Sequence, residues 1–239
     1  SWSQEDQDGL QAWFKEFNRW MLESPVGQEE ERQHNNHGTY FDIQVAAYSL
    51  FTGQSALAKQ HIREHTYKRL DSQLSPDGEQ PFEMARTKPW GYSGMNLMGF
   101  VHLAHIAERV GENLWVYETP SGASIRKAIE WYFPFWNGEK PWPKEEITGH
   151  RDPDALVSVL MMGSRYDRSG YKNQIEKLLA FTGDGYDLET SLLNLTYPVF
   201  EGPVTDDPMF FDALDLDYPG LEAVKADVAR KDYAAAKKD

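Results

Sequence analysis

The chain has 239 residues, with 24 Lys and Arg against 38 Asp and Glu, which gives a net charge of −14 with neutral histidine. This acidic balance argues against a general nucleic-acid-binding protein, because phosphate binding needs a basic face. The sequence has no cysteine, so disulfides, thiolate metal sites and a cysteine nucleophile are excluded. No apolar run approaches the roughly 20 residues that cross a bilayer, so no membrane span is predicted.

Helical periodicity dominates the start of the chain. Residues 3–23 carry apolar side chains at three- and four-residue spacing, and Ser3 is a suitable N-cap. Residues 38–52 predict a second, more apolar helix, which Gly53 can end.

The middle of the chain alternates helical and irregular segments. A third, more polar helix is predicted over residues 55–74, and the turn sequence SPDG follows at residues 75–78. Residues 79–92 lack helical periodicity and contain two prolines, which predicts a long loop, with or without a short strand. Helix resumes over residues 93–110 and stops at Gly111. Further helices are predicted at about residues 121–136, 153–166, 170–181 and 187–196.

These segments predict an all-α fold, because no alternating strand pattern of any length occurs between them. Short connections favour antiparallel helical hairpins arranged as an (α/α) toroid, complete or incomplete. The absence of a clean sequence repeat disfavours a consensus solenoid. We expect a helical domain over residues 1–200. Residues 201–239 are expected to form a linker, rich in Pro, Gly and Asp, followed by a charged helical tail.

The first candidate motif is RQHNNHGTYFD, residues 32–42, where polar side chains come directly before an apolar helix. One interpretation is local, with Asn35 or Asn36 as the N-cap and His37 in the first turn. The other is functional, with Asn36 and His37 projecting from the helix start into a cavity. A helix N-terminus favours anions and tends to keep a histidine neutral, and therefore able to act as a base.

The second candidate motif is EQPFEMARTKPWGYSGMNL, residues 79–97. It can be an ordinary surface loop with an ion pair between Glu83 and Arg86. It can also be functional, since loops on a rigid scaffold often carry binding groups. The planar fork of Arg86 matches a carboxylate in a bidentate manner, and the phenol of Tyr92 can transfer a proton.

Together the two motifs resemble the alginate lyase-like family of polysaccharide lyases, which have an (α/α) toroid fold. The resemblance runs over about residues 1–200 and rests on NNHGTYFDIQVAAYSLFTGQ followed by PDGEQPFEMARTKPWGYSGMNL. The Asn-His pair of the family matches Asn36 and His37. Its arginine in the ART segment matches Arg86, and the tyrosine of its W-x-Y-S segment matches Tyr92.

The resemblance implies β-elimination on a uronic-acid polymer of the alginate or glucuronan type. Arg86 and Asn36 would then neutralise the C5 carboxylate and stabilise the enolate that develops. Tyr92 would protonate the leaving oxygen, and either Tyr92 or His37 would remove the C5 proton. Tyr92 alone can serve a syn elimination, whereas His37 and Tyr92 would divide the tasks in an anti elimination. The sequence leaves the sugar epimer open.

Further expectations about ligands and location follow from the resemblance. The substrate would be an acidic polysaccharide or oligouronate, no metal or organic cofactor would be needed, and the location would be periplasmic or extracellular. Oligomeric state and endo or exo action are not readable from the sequence. The segment ALDLDYPGLEAVKADVARKDYAAAKKD, residues 213–239, weakly resembles the opening of the N-terminal helical domain of heparinase II/III-like lyases, which would make the chain a segment of a larger lyase.

Four further residues are candidate substrate-binding groups. Asn35 is adjacent to the first motif, and Trp90 in the second can stack on a sugar ring or fill the core. His150 and Arg151 precede a predicted helix, where they can bind a neighbouring uronate or form an ordinary capped helix start. Four other histidines lie at helical spacing without an evident third metal ligand, and we interpret them as surface or core residues: His61, His65, His102 and His105.

Two alternative functions remain open at the level of the sequence. A glycoside hydrolase would need two carboxylates flanking the scissile bond, for which Glu83 and Asp42 are conceivable, although nothing signals their pairing. A non-catalytic carbohydrate-binding fragment would bind oligouronates without cleaving them.

Overall fold

The computed structural model describes residues 2–136 and 139–147, which belong to the first of two compact units, Ser1–Gly183. Every regular element in this part of the chain is helical, which confirms the predicted all-α class there. None of these helices is long and apolar enough to cross a membrane. The elements are α1 Gln4–Glu23, α2 Pro25–Glu31, α3 Asn36–Phe51, α4 Ser55–His61, a π-helical turn Ile62–Thr66, α5 Tyr67–Gln73, α6 Pro81–Met84, α7 Pro89–Glu108 and α8 Ile125–Trp136.

The first helix begins as its sequence predicts. The side chain of Ser3 accepts a hydrogen bond from the backbone N–H of Asp6, and the Asp6 carboxylate accepts one from the backbone N–H of Ser3. This capping box satisfies two N–H groups that the helix itself leaves without a partner. The short helix α2, which follows directly, is absent from the prediction even though Ser24 caps it and Pro25 occupies its first position.

Helix α3 is the centre of the described fold, since it packs against α1, α2, α4 and α7. Phe41 and Val45 on α3 form a buried cluster with Met21 of α1. On the opposite side α7 approaches closely at Gly99, where an added Cβ would lie 2.9 Å from the Thr39 methyl group. A side chain at that position would therefore push α7 away from α3.

The predicted helix over residues 55–74 is present but is interrupted. The π-helical turn Ile62–Thr66 separates α4 from α5, and such turns occur most often as single bulges inside α-helices. The turn that follows is confirmed, since the backbone N–H of Gly78 donates to Ser75 and Gly78 has φ +97°.

The prediction of a long loop over residues 79–92 is wrong. Short helix α6 occupies Pro81–Met84, and α7 begins at Pro89, four residues before the predicted start. Both prolines stand at the first positions of helices, where the missing N–H costs nothing and the fixed φ suits the helix. Helix α7 ends before Gly111, which has φ +73°, and α8 begins at Ile125 rather than near residue 121. The helices predicted over 153–166, 170–181 and 187–196, and the linker and tail, lie outside the described residues.

Candidate active site

The beginning of α3 places the first motif at one end of the central helix. Asn35 is the N-cap, and its side-chain oxygen accepts a hydrogen bond from the backbone N–H of His37 at 3.2 Å. Asn36 is then the first helical residue, with its side chain only 5% exposed. The local interpretation of the motif is confirmed for Asn35, and Asn36 is left to make contacts with other segments.

Arg69 of α5 holds the segment that leads into α3. Its guanidinium donates to the backbone carbonyls of Glu31 at 3.0 Å and Gln33 at 3.1 Å. It passes against Gly38, where an added Cβ would lie 2.0 Å from the guanidinium nitrogen. Glycine is therefore required in the first turn of α3, because any side chain would displace Arg69 and release this segment.

A buried carboxylate connects the two motifs. Glu83 of α6 is 1% exposed, and its Oε1 accepts hydrogen bonds from both the backbone N–H and the side-chain amide of Asn36, the latter at 2.8 Å. The other carboxylate oxygen lies 3.4 Å from the guanidinium of Arg86. The predicted ion pair between Glu83 and Arg86 is confirmed, and the same carboxylate also fixes Asn36.

Arg86 and Tyr92 lie on the solvent-accessible side of the Asn36–Glu83 contact. The guanidinium carbon lies 3.5 Å above the centre of the Tyr92 ring, on the first turn of α7, in a cation–π contact. The Arg86 side chain is 27% exposed. It has five N–H donors, and among the described residues its only side-chain hydrogen bond is to Glu83. Donors therefore remain for an anionic ligand beside a phenol group.

A chain of buried amides sets the distance between α3 and the second motif. Gln73 of α5 donates to the backbone carbonyl of Asn35 at 3.0 Å, and Asn96 of α7 donates to Gln73 at 2.9 Å. Asn96 also donates to Gln80 at 2.7 Å, and Gln80 in turn donates to the backbone of Ser93. Buried amides linked by hydrogen bonds in this way favour one arrangement of the surrounding helices.

The surroundings of Glu83 are acidic. Burial, and then the neighbouring carboxylates of Glu83, Glu79 and Glu146, raise the pKa of the fully buried Tyr132 well above its ordinary value. Among the described residues, Arg86 is the ion-pair partner of Glu83 in this group. The arrangement as a whole presents one cation and one phenol at the edge of a negatively charged and buried framework.

The sequence model of alginate lyases matches residues 1–142, which is more than half of the chain. This chain belongs to the alginate lyase family. It is also similar to the crystal structure of an alginate lyase from Bacteroides ovatus, with 33% sequence identity and a TM-score of 0.68. That match covers 74% of this chain and 47% of the solved chain, so the chain spans about half the length of that relative. No curated protein sequence matches at a significant level.

The match confirms the (α/α) toroid class that the resemblance predicts for an alginate lyase family member. Three of the four predicted catalytic residues come together in one network: Asn36, Arg86 and Tyr92, joined through Glu83. The fourth, His37, points elsewhere. Its Nδ1 lies 2.7 Å from Glu30 of α2, and its side chain is 49% exposed.

The predicted substrate-binding residues differ in their surroundings in the structure. The side chain of Asn35 is used as a helix cap. Trp90 is half-buried, its ring meets Trp142 edge to face at 5.0 Å, and its backbone N–H donates to Glu146. Its role as a sugar platform remains a prediction, and His150 and Arg151 lie outside the described residues.

The histidines at helical spacing are only partly described by the surface-or-core prediction. His61 is buried, and its Nε2 lies 2.9 Å from Asp42. His102 is also largely buried, and burial lowers its pKa. No third metal ligand is evident from the local sequence around His61 and His65, but Glu31 of α2 brings a carboxylate oxygen within 4.8 Å of a ring nitrogen of each. Glu31 lies 30 residues earlier in the sequence, so no local spacing could indicate it.

Asp42 does not have the surroundings that a hydrolytic carboxylate needs. It is fully buried, and its two oxygens accept from His61, from Thr66 at 3.1 Å and twice from Arg69. Burial tends to raise its pKa, but the hydrogen bonds from His61 and Arg69 and the charge of Arg69 outweigh burial, so the pKa lies below its ordinary value. Asp42 and Glu83 thus accept different sets of hydrogen bonds, and the enclosure of Asp42 disfavours the two as a pair of hydrolytic carboxylates.

Sequence reasoning missed the part that Glu83 and Gln73 play in assembling the site. The sequence indicates Glu83 only as an ion-pair partner for Arg86 or as a hydrolytic carboxylate. Its i,i+3 spacing to Arg86 on a short helix could indicate the ion pair. The contact with Asn36 spans 47 residues and has no local signal.

Proposed function

We propose that this chain carries the catalytic residues of a polysaccharide lyase that cleaves a uronic-acid polymer by β-elimination. The observation that carries the proposal is the Arg86 guanidinium, 3.5 Å above the Tyr92 ring and joined to Asn36 through the buried Glu83. Membership of the alginate lyase family supports the same reaction class. Because the chain spans about half of the solved relative, the activity and substrate are proposals for this protein.

Elimination begins at a proton that is only weakly acidic. The uronate carboxylate next to C5 is negatively charged, and removing the C5 proton adds further charge to it. Arg86 offers a fixed cation with unused N–H donors, and the Asn36 amide carries a second N–H besides the one that reaches Glu83. Donors positioned where charge develops are worth about 3–4 kcal/mol each in comparable sites.

We propose that Tyr92 transfers both protons. As phenolate it takes the proton from C5, the C–H electron pair forms the C4–C5 double bond, and the C4–O bond breaks. The phenol then returns the proton to the leaving oxygen, which balances the step. This assignment is supported by the contact of Arg86 with Tyr92 and by the pairing of His37 with Glu30. In the alternative, His37 takes the C5 proton from the opposite face of the sugar.

An acidic chain can bind an acidic polymer only if positive potential is concentrated at the binding site. The net charge of −14 repels a polyuronate at long range, so a cation at the cleavage site must compensate. We propose an alginate- or glucuronan-type polymer as substrate. We also propose a periplasmic or extracellular location, and a division of the chain into a catalytic domain over residues 1–200 and a linker with a helical tail over 201–239.

The test is ultraviolet absorbance during incubation with polymannuronate, polyguluronate, polyglucuronate and a sulfated glycosaminoglycan. Elimination creates a conjugated double bond that absorbs, and we expect absorbance to rise with one of the three unsulfated polyuronates. New reducing ends without absorbance would indicate hydrolysis and overturn the proposal. Calorimetric binding of oligouronates with neither signal would indicate a non-catalytic binding fragment.

A further inference from the structure

Two histidines and one glutamate form a compact group that contains none of the residues that the proposed elimination uses. Glu31 is the last residue of α2, His61 is the last residue of α4, and His65 lies in the π-helical turn. One ligand atom from each side chain lies within 4.8 Å of the other two. Imidazole nitrogen and carboxylate oxygen are the ligand types of zinc sites with three protein ligands.

The helical run that contains the two histidines presents them together. His61 and His65 are four residues apart, and their rings stack with centroids 4.6 Å apart and planes 12° from parallel. The π-helical turn begins directly after His61 and includes His65. Single π-helical turns are frequent at functional sites, because the extra residue redirects side chains on one face of the helix.

His61 is oriented by a buried carboxylate behind it. Its Nε2 lies 2.9 Å from Asp42, which also accepts two hydrogen bonds from Arg69. When Nε2–H donates to Asp42, the lone pair of the neutral imidazole is on Nδ1. Metal-binding histidines characteristically donate their second ring N–H to a carboxylate in this way, which fixes the ring and increases the basicity of the ligand nitrogen.

Glu31 supplies the anionic ligand from the opposite helix. Its Oε1 lies 2.7 Å from Nδ1 of His65, and the two side chains are 20% and 39% exposed. Its backbone carbonyl is held by Arg69, so the residue has a fixed position beside the histidines. The partial exposure of both side chains leaves the group accessible from solvent.

We propose that Glu31, His61 and His65 form a binding site for a zinc-class divalent metal ion, with Asp42 orienting His61. In a tetrahedral zinc site with bonds of about 2.0–2.1 Å, ligand atoms lie about 3.3 Å apart. The Glu31 and His65 atoms, now 2.7 Å apart, must therefore separate slightly, and side-chain rotation must bring all three to this spacing. Two imidazoles favour zinc over magnesium or calcium, which prefer all-oxygen ligands. Bound metal would join α2 to the helical run of residues 55–73, next to the segment that leads to Asn36.

The site is tested with Zn²⁺ alone on the full 239-residue chain, by equilibrium dialysis and calorimetry. Co²⁺ serves as a second probe, because a tetrahedral N/O environment produces intense visible absorption. We expect one ion per chain. His65→Gln and Glu31→Gln are each expected to weaken binding by about tenfold or more, in line with the sensitivity of such sites to changes around the ligands.

Matched controls come from exposed residues that are close to the proposed ligands in the sequence. Glu64→Gln removes an exposed carboxylate between the two histidines, and His34→Gln removes an exposed histidine close in sequence to Glu31. Both variants should bind Zn²⁺ like the original chain. The two ligand substitutions are at partly exposed positions, and circular dichroism verifies that each variant is folded. Equal binding by the ligand variants and the controls, or no stoichiometric binding by the original chain, would overturn the proposal.

Discussion

Two buried carboxylates, Asp42 on α3 and Glu83 beside its first turn, belong to networks for which we propose different roles, one structural and one functional. Asp42 and Glu83 are 0% and 1% exposed, and each accepts hydrogen bonds from more than one residue. Asp42 receives four hydrogen bonds, two of them from a single arginine that is itself buried. Glu83 receives two from Asn36, and its contact with Arg86 is longer and leaves that arginine partly exposed.

We propose that the arginine in each network determines whether the network is structural or functional. Arg69 divides its donors between Asp42 and two backbone carbonyls, so its charge is enclosed and serves to hold the start of α3. Arg86 has one long contact to Glu83 and a Tyr92 ring beneath it, so its charge is available to a ligand. We expect substitutions in the Asp42 network to reduce stability and those in the Glu83 network to reduce activity.

Tyr92→Phe is expected to have the largest effect on activity. It removes the only proton-transfer group of the proposed mechanism while keeping the ring against Arg86. Turnover should fall about 10²–10⁴-fold, the typical contribution of a general acid or base. The measurement is the initial rate of absorbance increase with the best polyuronate, together with an unchanged helical circular dichroism signal.

Two companion variants sharpen this result. Tyr48→Phe removes a hydroxyl from the side of α3 that packs on aromatic residues of α1, and it should leave turnover unchanged. His37→Gln should reduce turnover less than Tyr92→Phe does. Equal losses in the His37 and Tyr92 variants would indicate instead that the two residues share the proton transfers across the sugar ring.

Asp42→Asn is expected to have the largest effect on stability. It leaves Arg69 buried beside a neutral group, and removing one partner of a buried ion pair typically costs about 3–5 kcal/mol. Urea unfolding followed by circular dichroism measures the loss. Asp71→Asn, which removes an exposed carboxylate bonded to Ser121, is the control and should change stability far less. Similar unfolding midpoints for the two variants would contradict a structural role for Asp42.

Arg86→Met tests the Glu83 network by replacing its arginine with an uncharged side chain of similar length. Loss of one positioned donor for the developing carboxylate charge should lower turnover about 10²–10³-fold. Stability should fall less than in Asp42→Asn, because Arg86 is partly exposed and its contact with Glu83 is long at 3.4 Å. Initial rates and urea unfolding on the same preparation separate the two effects. A variant that is unstable but fully active would reverse the roles that we assign to the two arginines.

The smallest expected effect is a pH dependence of the stability difference between the original chain and Asp42→Asn. The pKa of Asp42 is lowered in the folded protein, so below the ordinary value of about 3.9 the unfolded chain takes up a proton first. The contribution of Asp42 is therefore complete above that value and is lost as the pH falls through the folded pKa. The stability gap between the original chain and Asp42→Asn should be constant between about pH 5 and 7 and shrink below about pH 4. A constant gap in acid would contradict the lowered pKa.

The sequence predicted helices well where the capping, spacing and ending signals lie within the helix itself or beside it. The capping pair of Ser3 and Asp6, the apolar spacing of α3 and α7, and the glycine ends at Gly53 and Gly111 act within a few residues. The same signals misled at Pro81 and Pro89, because a proline that breaks a helix also begins one. Only the neighbouring segments decide between these two outcomes.

The four catalytic candidates were identifiable from two short motifs because each motif places its residue types at a recognisable spacing. The sequence therefore indicated a helical member of the alginate lyase family and the four candidate catalytic side chains. Tertiary structure decided which of them meet: Glu83 joins Asn36 across 47 residues, His37 pairs with Glu30 instead, and Glu31 reaches two distant histidines. Local periodicity determines which face of a helix is buried, but contacts between remote polar groups depend on how the helices pack.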